Sequence, residues 1–411
     1  MRISLLLQRE PFGSILEETL SAFLRSWTGQ PHQVRWHPGR PDLNAMRRRG
    51  QQPWLCNVYL NAIFVPEAEP QIFDPIRREF GRSVIWWRRP IQQAYVTLAL
   101  SQPGARWLAQ AGVGISPALP DAGQLLIVAG NHKIRLLHYA AGVAYGILKS
   151  GFPPHLMQRE IEARCQAEEL GLPVPPLEAV AEDGSWFRER YVSGTPINRL
   201  GDGVMTRRGV ADVVQALHRL LEHTRREDSL EDYAESLRNR IQQLTRANRL
   251  LSDSEKQSLL GSTEVILQQI GSLRSAVGGR ITTALTHGDF QPANILINQD
   301  GTWLIDWEYS ARRQAGYDAL VFRLRSRFPA GLAGRLQRLL SESDSAQPLS
   351  LTHWPGLKWQ DASWKRVHGL LFLLEELVLH LEENTNPCFM RLGKGLPVLQ
   401  QEIGRWVAEA I

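Results

Sequence analysis

The stretch Thr286-His-Gly-Asp-Phe-Gln-Pro-Ala-Asn-Ile-Leu-Ile297 places a carboxylate, Asp289, five residues ahead of an amide, Asn294. A second carboxylate, Asp306, follows in Leu304-Ile-Asp-Trp-Glu-Tyr-Ser310. Two apolar runs, Ile295 to Ile297 and Trp303 to Ile305, flank Asn298-Gln-Asp-Gly301. Asp-Gly between such runs signals a β-hairpin, because glycine accepts the positive φ that tight turns need. The hairpin would bring Asp289, Asn294 and Asp306 close together. That layout serves phosphoryl transfer: the first carboxylate takes the proton of an acceptor hydroxyl, while the amide and the second carboxylate hold Mg²⁺ on nucleotide phosphates. By average residue usage, His-Gly-Asp followed by Asn at this spacing should arise by chance in a chain this long about once in a thousand.

The remaining chain must supply elements to carry these groups. Gln124 to Val128, Ile134 to His138 and Val143 to Leu148 read as strands, with a tight turn at Gly130-Asn-His-Lys133. Lys149 ends the third strand, where a lysine can reach nucleotide α- and β-phosphates if a carboxylate of the following helix holds it. A strand end is expected to leave Lys149 exposed, so that its removal would spare the fold. Leu177 to Ala181 and Trp186 to Val192 form a second hairpin around Glu182-Asp-Gly184. From Met205 the period becomes helical, and Ser252-Asp-Ser-Glu255 is a capping box. Residues 1–120 stand apart as an extension. Within it Ile3 to Leu7 reads as a strand, Ser14 to Trp27 as an amphipathic helix, and Gln92 to Ala111 as helical.

Composition narrows the class. With 411 residues, 43% hydrophobic and 22% charged, the chain can bury two or three cores. Cys56, Cys165 and Cys388 are far apart and form neither a zinc motif nor a disulfide framework. The apolar run at the N-terminus is short for a signal peptide, and Leu370 to Leu381 is too short to span a bilayer, so a cytoplasmic location is expected. The net charge of +5 is spread along the chain without a basic block, and only six of the 47 basic residues are lysines. Nucleic acid is therefore not an expected partner, while peripheral contact with an anionic membrane stays open. No P-loop sequence occurs. Trp354, Trp359 and Trp364 with Glu375 and Glu376 could line an aromatic, acidic pocket for a cationic acceptor.

The catalytic stretch resembles that of the aminoglycoside phosphotransferase and choline kinase family, which has a protein-kinase-like fold. Ile305-Asp-Trp-Glu-Tyr309 is similar to the aspartate–aromatic–glutamate–tyrosine run of choline, ethanolamine and thiamine kinases. The resemblance covers roughly residues 121 to 320 and does not select a substrate. It implies a two-lobed α+β fold, with a small β-rich lobe over 121–198 and a helical large lobe over 199–411, to which residues 1–120 add an N-terminal α/β extension that the family pattern does not cover. It implies ATP and Mg²⁺ as cofactors and a hydroxyl of an amino alcohol, aminoglycoside or sugar as acceptor. Alternatives are a kinase of a sugar on a lipid-linked or cell-surface glycan, or a pseudokinase that binds nucleotide for a partner. Asp289 would be the base and His287 the anchor of its loop. Asn294 and Asp306, with Glu308, would hold the metal. Lys149 would take phosphates, paired with Glu160, whose offset to Gly171-Leu-Pro173 matches the family, or with Glu162. Backbone groups of Glu189, Tyr191 and Val192 would meet the adenine edge. Asp318 would cap the next helix or bind the catalytic-loop backbone.

Overall fold

The chain was analysed as a computed structural model, which describes residues 2–80, 86–341 and 349–409. It mixes α-helices with antiparallel sheets, an α+β architecture. It divides into two compact units, 1–158 with 175–193, and 159–174 with 194–411.

The first unit is built on one nine-stranded sheet. Its strands are β1 (Gln33–Pro38), β2 (Gln52–Asn57), β3 (Ala62–Phe64), β4 (Ala111–Ser116), β5 (Leu125–Ala129), β6 (Lys133–His138), β7 (Val143–Leu148), β8 (Leu177–Val180) and β9 (Trp186–Arg190). They lie in the order β1-β4-β2-β3-β5-β6-β7-β9-β8. The sheet therefore runs without a break through the expected extension and the expected small lobe, joined where Ile63 of β3 pairs with Ile127 of β5. A single core reaches from Ile3 and Leu6 through Trp54 and Ile127 to Tyr145 and Ile147. The expected strand over Ile3 to Leu7 is instead the helix Ile3–Arg9. Three leucines favour a helix, and the spacing of buried Ile3 and Leu6 is that of one helical face.

The helix Phe12–Thr28 fastens the first residues to the end of the sheet. Thr19 Oγ1 accepts the Ser150 N–H at 2.9 Å, and Glu18 accepts the Ser150 hydroxyl at 2.7 Å. Trp186 donates its indole N–H to Ser26 at 3.0 Å. Phe23 makes edge contacts with Tyr145 and Trp186, with ring centroids 5.3 and 5.9 Å apart. Such pairs add about 0.5–1.5 kcal/mol each beyond the area they bury.

Lys149 is buried, not exposed as its strand-end position suggested. Its ammonium lies 2.5 Å from Oε1 of Glu10, and both side chains are shut off from solvent. It also donates to the carbonyls of Gly130, at 3.2 Å, and Asn131, at 2.8 Å. The Phe152 ring lies 4.7 Å away. Burial raises the Glu10 carboxyl above its usual range, and Lys149 pulls it back.

The second unit holds two three-stranded sheets. One contains β10 (Thr195–Pro196), β13 (Ile295–Asn298) and β14 (Gly301–Leu304); the other contains β11 (Arg226–Ser229), β12 (Arg280–Thr286) and β15 (Ala311–Gln314). β13 and β14 form the hairpin expected from Asp300-Gly301, with Asn298 opposite Gly301. The helices Val204–Thr224, Leu230–Ala247, Asp253–Val277, Ala362–Glu382 and Gly395–Glu409 enclose the core. The capping box at Ser252 and Glu255 is formed, with both reciprocal bonds present. Trp354, Trp359 and Trp364 are packed into this core, so they do not line a pocket for a cationic acceptor. The Trp354 indole N–H is taken by the Ala315 carbonyl at 2.8 Å.

Breaking a buried ion pair costs about 3–5 kcal/mol, because the partner is left charged and dry. Lys149→Met should therefore lower the urea unfolding free energy by about that much, with Glu10→Gln on the same background recovering a large part of it. Equal stabilities of wild type and Lys149→Met would show that the pair adds nothing to the fold.

Candidate active site

β12 ends at Thr286 and delivers the chain into the loop His287-Gly-Asp289. This loop is held from below by one carboxylate. Asp318 accepts the backbone N–H of His287 at 2.7 Å and that of Gly288 at 2.9 Å. Asp318 sits in the first turn of the helix Tyr317–Leu324 but makes no side-chain cap for it. Of its two expected uses, binding of the loop backbone is the one formed. Burial raises its carboxyl, opposed by His287 and by the two backbone bonds. Gly288 has φ +82°, and a Cβ there would lie 2.0 Å from the Tyr309 carbonyl oxygen, so the loop requires glycine at this point.

His287 is fully buried and spans the loop. Its Nε2 donates to the Ile305 carbonyl at 3.0 Å, while Nδ1 accepts the Asp289 N–H at 3.2 Å. Burial lowers its pKa, so the ring is neutral, and this tautomer uses both nitrogens for structure. The Trp307 ring packs edge-on at 4.6 Å.

Asp289 lies at the centre. Its Oδ2 accepts Asn294 Nδ2 at 2.7 Å and Gln291 Nε2 at 2.9 Å. Its Oδ1 accepts Nε of Arg327 at 2.5 Å. Burial pushes its pKa up to about 6, against the pull of Arg327 and with a further push from Asp306. Asn294 also donates to the Asp289 carbonyl at 2.9 Å, so its amide is locked with Nδ2 towards the loop. The three-residue 3-10 turn Pro292–Asn294 sets this geometry, and the Asn294 carbonyl accepts the Ile305 N–H at 3.0 Å. The hairpin therefore returns the chain beside the loop. Asp306 is half-buried and has φ +69°. A left-handed conformation costs a non-glycine residue about 1–3 kcal/mol, which the surrounding bonds must offset. Glu308 is half-buried in the turn that follows.

Arg327 is the residue that sequence spacing did not reveal. Besides Asp289, it donates to the Gly288 carbonyl and, through Nη1, to both oxygens of Glu376 at 3.2 and 3.1 Å. Glu376 accepts the Tyr317 hydroxyl at 2.5 Å. Burial opposes its ionisation, but Arg327 holds its carboxyl below the usual range. Arg327 is 38 residues from Asp289, and Glu376 is 49 residues from Arg327, so no local motif links them. Glu375, the other acidic residue considered for a cation pocket, instead receives Tyr233 and Gln314, at 2.5 and 2.7 Å.

The other expected site residues divide between the two units. Lys149, Glu189, Tyr191 and Val192 belong to the first, and Glu160 to the second together with the loop His287-Gly-Asp289. The carboxylate that Lys149 meets within its own unit is Glu10, which the sequence did not single out. Glu189 is paired with Ala144 in the β7–β9 ladder, and its side chain receives Arg135. The Tyr191 N–H is taken by the Gly142 carbonyl at 2.8 Å. Glu160 is buried on the helix Pro154–Glu169. Glu162 is exposed there and lines a cavity of about 480 Å³ with Arg240, Arg312 and Glu382. Among the described residues no cluster of three His, Cys, Asp or Glu side chains forms a self-sufficient metal site.

A buried carboxylate therefore stands beside a locked amide, on a loop pinned to a hairpin. The chain belongs to the phosphotransferase enzyme family, whose pattern matches residues 148–359. No curated protein matches it. Among solved structures it is similar to a choline/ethanolamine kinase family protein from Mesorhizobium loti, at 17% identity and TM-score 0.40, covering 77% of this chain and 94% of that one. It is also similar to an ethanolamine kinase from Plasmodium vivax, at 11% identity and TM-score 0.45, covering 82% and 94%. An aminoglycoside phosphotransferase from Alicyclobacillus acidocaldarius gives 15% identity and TM-score 0.34, covering 72% and 96%. No described helix is long and apolar enough to cross a membrane.

The ion pair predicts a pH signature. Were Asp289 to act as the base of the reaction, it would have to be ionised, and kcat/KM should rise with pH through its pKa, about 6, rather than through the ordinary aspartate range. Arg327 lowers that pKa, so Arg327→Gln should move the acid limb to higher pH, and Arg327→Lys should move it less. An acid limb unaltered in Arg327→Gln would separate Arg327 from the ionisation of Asp289.

Proposed function

We propose that this phosphotransferase is ATP- and Mg²⁺-dependent and moves the γ-phosphate to a hydroxyl of a small molecule of the amino alcohol, aminoglycoside or sugar type. The observation that carries the reading is the buried Asp289, held at one oxygen by Asn294 and Gln291 and at the other by Arg327. A substrate hydroxyl is a weak nucleophile at neutral pH. Asp289 orients it and accepts its proton as the new O–P bond forms. Because phosphoryl transfer is largely dissociative, this aim counts at least as much as proton removal.

The donor set fits Mg²⁺. Asn294 turns Nδ2 to Asp289, which leaves its amide oxygen for a metal, and Asp306 contributes a carboxylate nearby in sequence and across the hairpin. An octahedral ion that keeps waters and phosphate oxygens needs only one or two such protein ligands, in keeping with the lack of a larger cluster among the described residues. Glu308 would support the metal or its waters. When bound, Mg²⁺ would neutralise charge on the phosphates. His287 keeps the loop in shape and exchanges no proton.

In the first unit, Lys149 would meet nucleotide phosphates, which would replace its bonds to the Gly130 and Asn131 carbonyls. Glu10 supplies a carboxylate to hold the lysine, a task the family resemblance gives to Glu160 or Glu162. No hydrogen bond joins the Val192 peptide groups to another described residue, which suits them to an adenine edge better than those of Glu189 or Tyr191. The two units would correspond to a small and a large kinase-like lobe, with residues 1–120 built into the sheet of the small one, in a cell compartment where ATP is available.

General-base contributions run to about 10²- to 10⁴-fold. A screen of ATP consumption against amino alcohols, thiamine, aminoglycosides and sugars should identify an acceptor, with the product mass raised by one phosphate. With it, Asp289→Asn should lower turnover by about 10²- to 10⁴-fold with nucleotide affinity nearly unchanged. Asn294→Ala and Asp306→Asn should instead lose Mg²⁺-dependent nucleotide binding. Near-normal turnover in Asp289→Asn would overturn the assignment of the base. Wild-type Mg²⁺ dependence in Asp306→Asn would overturn that of the second carboxylate.

A further inference from the structure

The helix Arg89–Ala99 carries an apolar arc wider than the part it buries. Val96 and Ala99 turn into the core, and Asn57 donates to the Tyr95 hydroxyl at 3.3 Å. On the outer flank of the same arc, Ile91 is 66% exposed and Leu98 54% exposed. These two are seven residues apart, two turns along one stripe, with exposed Ala94 between them. Trp87, 51% exposed, lies one turn before Ile91 in the 3-10 segment Trp86–Arg88. The next helix, Gln102–Leu108, presents Trp107 at 70% exposure, with the Arg40 guanidinium 4.2 Å above its ring. Single exposed apolar residues are ordinary, but an aligned stripe of this kind marks a binding face.

The charges around the stripe decide what covers it. From Phe80 to Pro120 the sequence has no aspartate or glutamate, and Arg88, Arg89 and Arg106 neighbour the exposed apolar residues along the chain; exposed Glu79, on the adjoining helix Asp74–Phe80, is the acidic residue next to this span. The Arg88 guanidinium lies 4.8 Å over the Trp87 ring. A second copy of the same face would bring arginines against arginines. A bilayer with anionic headgroups meets both features: acyl chains receive Ile91, Leu98 and the tryptophans, while headgroup phosphates receive the arginines. Tryptophan suits this depth because its ring is apolar and its N–H polar.

We infer that Trp87, Ile91, Leu98 and Trp107, with the arginines beside them, form a docking surface for an anionic lipid bilayer. The helix is eleven residues long and lies in the interface without crossing it. This inference is independent of the phosphotransferase chemistry.

Sedimentation of the full chain with vesicles tests it. The chain should pellet with phosphatidylcholine vesicles containing phosphatidylglycerol, should stay in solution with phosphatidylcholine alone, and should be released by high salt. I91E/L98E changes two exposed positions, so its melting temperature should match wild type while its partitioning falls at least about tenfold. R88Q/R89Q should lose the preference for phosphatidylglycerol. Failure of wild type to pellet with anionic vesicles would overturn the proposal, as would equal pelleting of I91E/L98E. A wild-type dimer that I91E/L98E converts to monomer, without vesicle binding, would assign the stripe to a second copy instead.

Discussion

A charge taken out of water must be met by an opposite charge and by hydrogen bonds, or it neutralises. Much of this molecule is arranged around that constraint. In the second unit it produces a chain of contacts in which Arg327 stands between Asp289 and Glu376. In the first it produces the pair of Lys149 and Glu10. Neither pair is a source of large net stability, because desolvation consumes most of the Coulomb gain. What each provides is geometry, since a buried charge is held where its partner stands.

The parts of the site that were legible in the sequence are those in which cause and effect are neighbours along the chain. Asp300-Gly301 specifies its hairpin because the turn is local, and the hairpin brings Ile305 back to the Asn294 carbonyl. The contact of Asn294 with Asp289 spans five residues and follows from one 3-10 turn. Arg327, Glu376 and Glu10 were not legible, because an arginine or glutamate carries no mark of a partner tens of residues away. Trp354, Trp359 and Trp364 were legible only as large aromatics. Their burial depends on how the helix Ala362–Glu382 is enclosed, which no local pattern states. The Ile3 to Leu7 run was misread because five apolar-rich residues fit a strand or a helix equally, and the deciding factor is the packing of Ile3 and Leu6.

The same distinction explains the first 120 residues. They looked separate because the family pattern does not include them, yet their apolar residues share a core with β5, β6 and β7. Thr19 and Glu18 bind the backbone and hydroxyl of Ser150, the residue after Lys149. Glu10, at the end of the helix Ile3–Arg9, reaches the lysine itself. A segment that only decorated the fold would not be tied to the position adjoining a buried lysine.

Asp289 shows how burial and pairing act together on a carboxylate. A fully solvated aspartate is ionised at neutral pH but too weakly basic to draw a proton from an alcohol. Burial alone would make it more basic and also protonate it. Here the two effects oppose each other: desolvation pushes the pKa up, and Arg327 with Gln291 pulls it back, so that it comes to about 6. At that value the carboxylate is largely ionised near neutrality and more basic than it would be in water. Glu376 completes the balance, because it shares the charge of Arg327 and so limits how strongly the arginine suppresses its basicity. Asp318 adds the last requirement, a fixed backbone at His287 and Gly288, without which a well-tuned carboxylate would still be aimed at nothing.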